Sequence, residues 1–307
     1  MVILTIIMKN LDKQNDIIQN ILKSYESIGG INHLDGENLP SRNRVDSILK
    51  LLIEILFPGY FEHQMLDKHS LPFVTSRKVA TVLESMTEEI LKSLCWSKSY
   101  KKQDIKDDQC LSIGLTVAQD LLDYIPLLRK ELKDDISAIF DGDPAAKNEP
   151  EIILAYPGFK SITVYRIAHF LYKRDIPMIP RLMSEIVHSE TGIDIHPGAT
   201  IGRRFCIDHG TGVVIGETAV IGKNVKLYQG VTIGALSVSK NQCDKKRHPT
   251  IENNVTIYAR TTILGGETVI GEGSVIGGNV WLTASVPSHS KVYVKPSFEQ
   301  FVKPPSS

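Results

Sequence analysis

Cysteine is scarce in this sequence. Cys95, Cys110, Cys206 and Cys243 are the four among 307 residues, and no two form a CxxC pair. That spacing suits neither a zinc knuckle nor a disulfide scaffold, and it fits a reducing, cytoplasmic setting. An excess of either charge is missing too. Lys+Arg and Asp+Glu both number 35, so the neutral chain has no general pull on phosphate backbones or acidic membranes, and nucleic acid is not an expected partner. Long apolar runs are absent. The apolar start, Met1 to Met8, is shorter than the roughly 20 residues a bilayer span takes. It also lacks the basic flank and small-residue cleavage site of a signal peptide. No membrane segment is expected. The 42% apolar and 23% charged residues are ordinary for a globular protein, and the length suggests two domains.

What the sequence does contain is a change of period. From residue 10 to about 175 the apolar spacing is helical. Val45, Ile48, Leu49, Leu52, Ile53 and Leu56 follow i, i+3, i+4, i+7 until Pro58-Gly59 stops them. Val79, Val82, Leu83, Met86, Ile90 and Leu94 repeat the pattern, as do Leu115, Ala118, Leu122 and Ile125. A further helix is expected from about Pro150 to Tyr172, broken near Pro157-Gly158, and the polar stretch 97–109 reads as a loop. After Pro180, aliphatic or small residues recur every six positions, at Ile195, Ile201, Ile207, Val213, Ala219, Val225 and Val231. They resume at Ile251, Ile257, Ile263, Val269 and Val275, and Trp281 closes the series. A second column runs two residues behind, through Ile215, Ile221, Leu227 and Ile233. Neither a helix nor an ordinary half-buried strand has a period of six. A three-sided parallel β-helix does, with one short strand and one turn per side and coils stacked at the strand-pairing distance of about 4.8 Å. The fold class is therefore α+β, an all-helical domain (1–181) followed by a β-prism (182–293) and a short tail (294–307). Residues 235–249 break the hexads and read as a loop extruded from one corner, a common home for binding residues.

Four motifs could carry chemistry: Asp143-Pro144-Ala145, Asp194-Ile195-His196-Pro197, Asp208-His209-Gly210-Thr211-Gly212 and Arg247-His248-Pro249. Asp194 and His209 lie just under one coil apart, so stacking is expected to bring them to one edge within reach of a carboxylate–imidazole hydrogen bond. Such a bond fixes the tautomer and stabilises the imidazolium formed when the ring takes a proton from an alcohol. Each element also has a plainer reading. Asp143-Pro144 suits a helix start, Asp208 could satisfy turn amides, His196 and His209 could be structural, and Arg247-His248 after Lys245-Lys246 could be a solvated basic patch. The prism is what would bring Asp194, His209 and Arg247-His248 together.

With those motifs, Tyr165-Arg166-Ile167-Ala168-His169 and Gly216-Glu217-Thr218-Ala219-Val220, the chain resembles the serine O-acetyltransferases of the hexapeptide-repeat acyltransferase superfamily over residues 110–290. The resemblance implies a left-handed β-helix and transfer of the acetyl group of acetyl-CoA to the hydroxyl of L-serine, the first step of cysteine biosynthesis from serine. It implies His209 as general base with Asp194 as its partner. Asp143 and Asp208 would hold the substrate ammonium, and Arg247 and His248 its carboxylate. Acetyl-CoA would be a co-substrate lying along the prism near Ala259 and Gly278, with no permanently bound cofactor and no metal. It implies a homotrimer, or a hexamer made of two trimers, with the active site between neighbouring prisms, and makes feedback inhibition by cysteine an expectation. Relatives end in an isoleucine that docks into the next enzyme of the pathway. This chain ends in Ser307, so a cysteine synthase complex is not expected. The alternatives are a hexapeptide acetyltransferase acting on a sugar or antibiotic hydroxyl, a prism hydratase using zinc, and a non-enzymatic scaffold. Zinc needs three convergent imidazoles, and no two histidines of the repeat are five apart.

Overall fold

A computed structural model describes residues 2–34, 39–62, 65–101, 106–236 and 245–295. The chain forms two compact units, Met1–Asn38 and Leu39–Ser307. The first contains one amphipathic helix, α1 (Val2–Ser27).

In the second unit, the helical part comprises α2 (Arg42–Leu56), α3 (Leu71–Lys101), α4 (Asp107–Gly142), α5 (Glu149–Ala155), α6 (Pro157–Tyr172) and α7 (Ile179–Thr191). The Ser41 side chain caps α2 by accepting from the Arg44 amide. The α2 stripe Val45, Ile48, Leu49, Leu52 and Leu56 is buried against Val82, Met86 and Ile90 of α3 and Leu121, Leu128 and Leu132 of α4 in one core. The break at Pro157 is present, because a proline at the first position of α6 cannot continue α5. Two expectations change. Residues 97–101, expected as loop, are the last turn of α3, where Lys98 reaches Asp107 at the head of α4 (2.8 Å). The boundary expected at residue 181 falls inside α7, which runs on until left-handed Gly192 (φ +69°) ends it. One described helix, α4, is long and apolar enough to cross a bilayer by length and composition, although no such segment was expected. Its apolar stripe is buried in the helical core instead.

The strands β1–β14 form three parallel sheets. Sheet 1 is ordered β1 (Asp194–Ile195), β4 (Val214–Ile215), β7 (Thr232–Gly234), β10 (Thr262–Leu264), β13 (Trp281–Leu282). Sheet 2 is β2 (Thr200–Ile201), β5 (Val220–Ile221), β8 (Thr250–Ile251), β11 (Val269–Ile270). Sheet 3 is β3 (Cys206–Ile207), β6 (Lys226–Leu227), β9 (Thr256–Ile257), β12 (Val275–Ile276), β14 (Lys291–Val292). The chain visits the sheets in rotation, so each turn of three strands is one coil of a triangular solenoid.

The hexad phase slips at two places. Ile195, Ile201 and Ile207 stack on Ile215, Ile221 and Leu227, and not on Val213, Ala219 and Val225, the residues three hexads further along. Val213, Ala219, Val225 and Val231 form a second buried column. The corner between β3 and β4 is two residues longer than its neighbours, and it is the corner that carries Asp208 and His209. At the 265–268 corner one extra residue moves the inward positions to Ile270 and Ile276, which are fully buried, whereas Trp281 is 68% exposed. Val269, Val275 and Trp281 therefore do not belong to the interior column. Stacking alone sets this, because a side chain one step out of phase on a strand points to the opposite face.

α6 clamps the first coil of the prism. Tyr165 donates its hydroxyl to the Ala199 carbonyl (2.6 Å) and accepts from the Ile201 amide (3.2 Å). Arg166 makes a two-point contact with Asp135 of α4 (2.7 and 2.8 Å) and donates to the Gly202 carbonyl (3.0 Å). Asp135 in turn accepts from the Phe205 amide (2.9 Å). The buried ions are thus paired and each is further hydrogen-bonded to backbone, the condition under which burial of charge is tolerated.

Candidate active site

Two groups of polar side chains occupy two different edges of the prism. The edge where sheet 3 hands over to sheet 1 bears Asp208 and His209 on the first coil, Tyr228 on the next, then Tyr258 and Ala259, then Gly278. The edge where sheet 1 hands over to sheet 2 bears His196, then Glu217 and Thr218, then Arg247 and His248 at the end of the extruded loop. Residues 237–244 of that loop, and with them Cys243, lie outside the described residues.

At the first edge, His209 has left-handed backbone (φ +59°) and is followed by Gly210 (φ +87°). A Cβ on Gly210 would lie 2.4 Å from the Ile193 side chain, so only glycine lets this corner fold down on the coil below. The histidine is pushed outward, with 70% of its side chain exposed. Its Nε2 lies 3.8 Å from Asp208 Oδ1. The other Asp208 oxygen contacts Lys226 Nζ (3.0 Å), which also donates to the Gly142 carbonyl at the end of α4 (2.6 Å). Asp143, the residue after that helix end, accepts from the Tyr156 hydroxyl (2.7 Å) and the Ala145 amide (2.8 Å). Tyr156 first and Ala145 second hold its carboxyl below the usual range, and the same bond raises the Tyr156 phenol to about 12. Asp143 closes α4 as its C-cap, and Asn148 is the N-cap of the next helix, so the helix-start reading of Asp143-Pro144 does not hold. Lys226 and Tyr156 carried no motif and were missed. A lysine two residues before Tyr228 becomes visible as a site residue only when coils stack.

The expected hydrogen bond between Asp194 and His209 is absent. The lengthened corner carries the imidazole outward, while Asp194 lies beside the end of α7. There one ligand atom from each of Asp194, Glu185 and His188 lies within 4.8 Å of the others. By donor type these three could hold a divalent cation, though Arg181 already pairs with Glu185.

At the second edge, the Thr218 hydroxyl oxygen accepts from the amides of Arg247 (2.9 Å) and His248 (3.0 Å). The Thr218 amide donates to His248 Nδ1 (3.0 Å), which leaves Nε2 as the protonated nitrogen. Burial, reinforced by Arg247, pushes the His248 pKa down to about 4, so the ring is neutral at pH 7 and the charge of the pair is Arg247's alone. Arg247 pairs with Glu217, which also accepts from the Tyr172 hydroxyl (2.7 Å). A Cβ on Gly216 would meet the His248 ring at 2.0 Å, so that glycine makes room for the ring. Burial lowers the His196 pKa as well.

The structure thus brings Asp143, Asp208 and His209 together and aligns them with Ala259 and Gly278. It does not bring Arg247 and His248 to them within one chain, contrary to what the prism spacing alone suggested, because one whole side of the prism lies between the two edges; a site between neighbouring prisms, as the resemblance implies, does not need it to.

No family model matches this chain. A curated protein from Synechococcus elongatus named as a plasmid serine acetyltransferase is 43% identical over 258 residues, covering 82% of this chain and 81% of that protein. The chain belongs to the serine acetyltransferases. Among solved structures, serine acetyltransferase isoform 3 of Entamoeba histolytica in complex with cysteine superposes with a TM-score of 0.71 at 33% identity, over 93% of both chains. The Neisseria gonorrhoeae serine acetyltransferase in complex with serine gives 0.54 at 27% identity, over 86% of this chain and 98% of that one. As in its family, the helical region precedes a left-handed parallel β-helix of stacked hexapeptide coils.

Proposed function

We propose that this serine acetyltransferase moves the acetyl group of acetyl-CoA to the hydroxyl of L-serine, giving O-acetyl-L-serine and CoA. The observation that carries the reading is the acidic pocket in which Asp143, on the helical region, faces Asp208 and His209 on the prism edge. A zwitterion with one cationic end suits that pocket, and its carboxylate needs a cation at the other end. Arg247 can supply that cation only from an adjacent copy, since it lies on another edge of its own prism. The catalytic unit is accordingly a trimer or a larger assembly of trimers. His209 takes the hydroxyl proton as the serine oxygen attacks the thioester carbonyl. The tetrahedral intermediate then collapses, its C–S bond breaks, and the departing CoA sulfur receives that proton from the imidazolium.

The carboxylate nearest His209 in its own chain is Asp208; Asp194 makes no bond to it within one chain, and family resemblance alone supports Asp194 as its partner. An Asp194→Asn variant with lowered kcat and normal serine KM would support that assignment. Acetyl-CoA is a co-substrate lying along the edge through Ala259 and Gly278, and the enzyme works without a resident cofactor in the cytoplasm. Cysteine, bound by the Entamoeba relative, is proposed to compete at the serine site. A thiol-release assay with acetyl-CoA against serine, homoserine, threonine and a panel of sugars tests the substrate. Turnover confined to a sugar would overturn it.

A further inference from the structure

Lys226 is the cation inside the acidic pocket. It stands on β6 with its side chain turned outward, directly above Cys206 of the coil below. Its ammonium makes three contacts: Asp208 Oδ2 at 3.0 Å, the Gly142 carbonyl at 2.6 Å, and the face of Tyr228, whose ring centroid is 4.6 Å away. Tyr228 is itself fixed by a parallel stack on Tyr258 (4.9 Å, 7°). The lysine side chain is only 16% exposed. Gly142 ends α4 and Asp143 follows it, so a single ammonium ties the turn that carries one substrate-binding aspartate to the side chain of the other.

The charges at this place would otherwise conflict. Two carboxylates would face the carbonyl end of a long helix, where negative charge is already concentrated. Like charges so placed repel, and one carboxyl would tend to take up a proton. Lys226 cancels one of the two charges and leaves a net single negative charge, the complement of one ammonium. Burial works against its own charge, but Tyr228 and Asp208 outweigh burial and its pKa is raised.

We infer that Lys226 is a positioning residue for serine binding, holding Asp208 against the end of α4 so that Asp143 and Asp208 together form a receptor for one substrate ammonium. The inference rests on the reading of those two aspartates given above. It concerns recognition of the amino acid and leaves acetyl-CoA untouched.

The test is steady-state kinetics on the full chain with Lys226→Met, Lys226→Arg and Asp143→Asn. Loss of the tether in Lys226→Met is expected to raise the serine KM by roughly tenfold or more, with the acetyl-CoA KM within about twofold of the parent and a smaller change in kcat. Lys226→Arg, which keeps the charge, is expected to recover most of the loss. If Lys226→Met does not fold, Lys226→Gln carries the same expectation. A serine KM that stays level or falls in Lys226→Met, while Asp143→Asn raises it, overturns the inference and leaves the pocket assignment standing. An equal rise in both Michaelis constants, or an arginine variant as impaired as the methionine one, overturns it as well. If Asp143→Asn leaves the serine KM unchanged, the reading of the pocket fails, and this inference fails with it.

Discussion

Three side chains of the proposed site each make a prediction. His209→Ala is expected to lower kcat by at least about 10²-fold, the low end for a general base, while circular dichroism shows an intact prism. A variant with near-parental turnover would remove His209 from the mechanism. Tyr156→Phe deletes the hydroxyl that orients Asp143. Losing one hydrogen bond to a charged group should raise the serine KM roughly tenfold, with the acetyl-CoA KM unmoved. His248 links function to stability. The unfolded chain carries an ordinary imidazole near 6.5, whereas burial holds the folded ring at about 4. Between those values the unfolded state binds more protons, so the stabilising contribution is full above 6.5 and is lost as pH falls through the window. Thermal melts should show Tm dropping from pH 6.5 toward 4, with a shallower slope in His248→Gln; parallel slopes would contradict this. The proposed site residues Asp143, Asp208, His209, Arg247 and His248 were legible in the sequence, because they sit in short motifs. Lys226 and Tyr156 were not, since each gains its role from a neighbour distant in the chain.

At the scale of elements, the helical stripes and the prism followed from periodicity, since burial on a helix or a coil repeats with backbone geometry. What periodicity missed were the slips in phase. A two-residue extension of one corner is nearly invisible among aliphatic hexads, because both columns are apolar and both are buried. That extension projects His209 from the edge and separates it from Asp194. The joint between α6 and the first coil depends on Arg166, whose removal would leave Asp135 buried and unpaired. Arg166→Met should therefore cost about 3–5 kcal/mol in denaturant unfolding. A loss below about 1 kcal/mol would mean the clamp is dispensable.

For the whole molecule, the central fact is that the proposed anionic and cationic halves of the site occupy different edges. If neighbouring copies complete each other, His209→Ala and Arg247→Ala should each be inactive alone. Equal co-expression of the two variants should recover about a quarter of parental activity, because each mixed trimer keeps about one intact interface in three and roughly three quarters of randomly assembled trimers are mixed. No recovery in mixed trimers confirmed by mass would place the whole site in one chain.

The sequence by itself determined the period of six, the helical stripes and the presence of an acid, base and cation suited to a zwitterion, because these depend on residue type and local spacing. Only the tertiary structure decided which of those groups meet. Stacking register, the lengthened corner and the rotation of the chain through three sheets put Lys226 between Asp208 and the end of α4, and Arg247 a full prism face away. Those are long-range relations, and no local pattern encodes them.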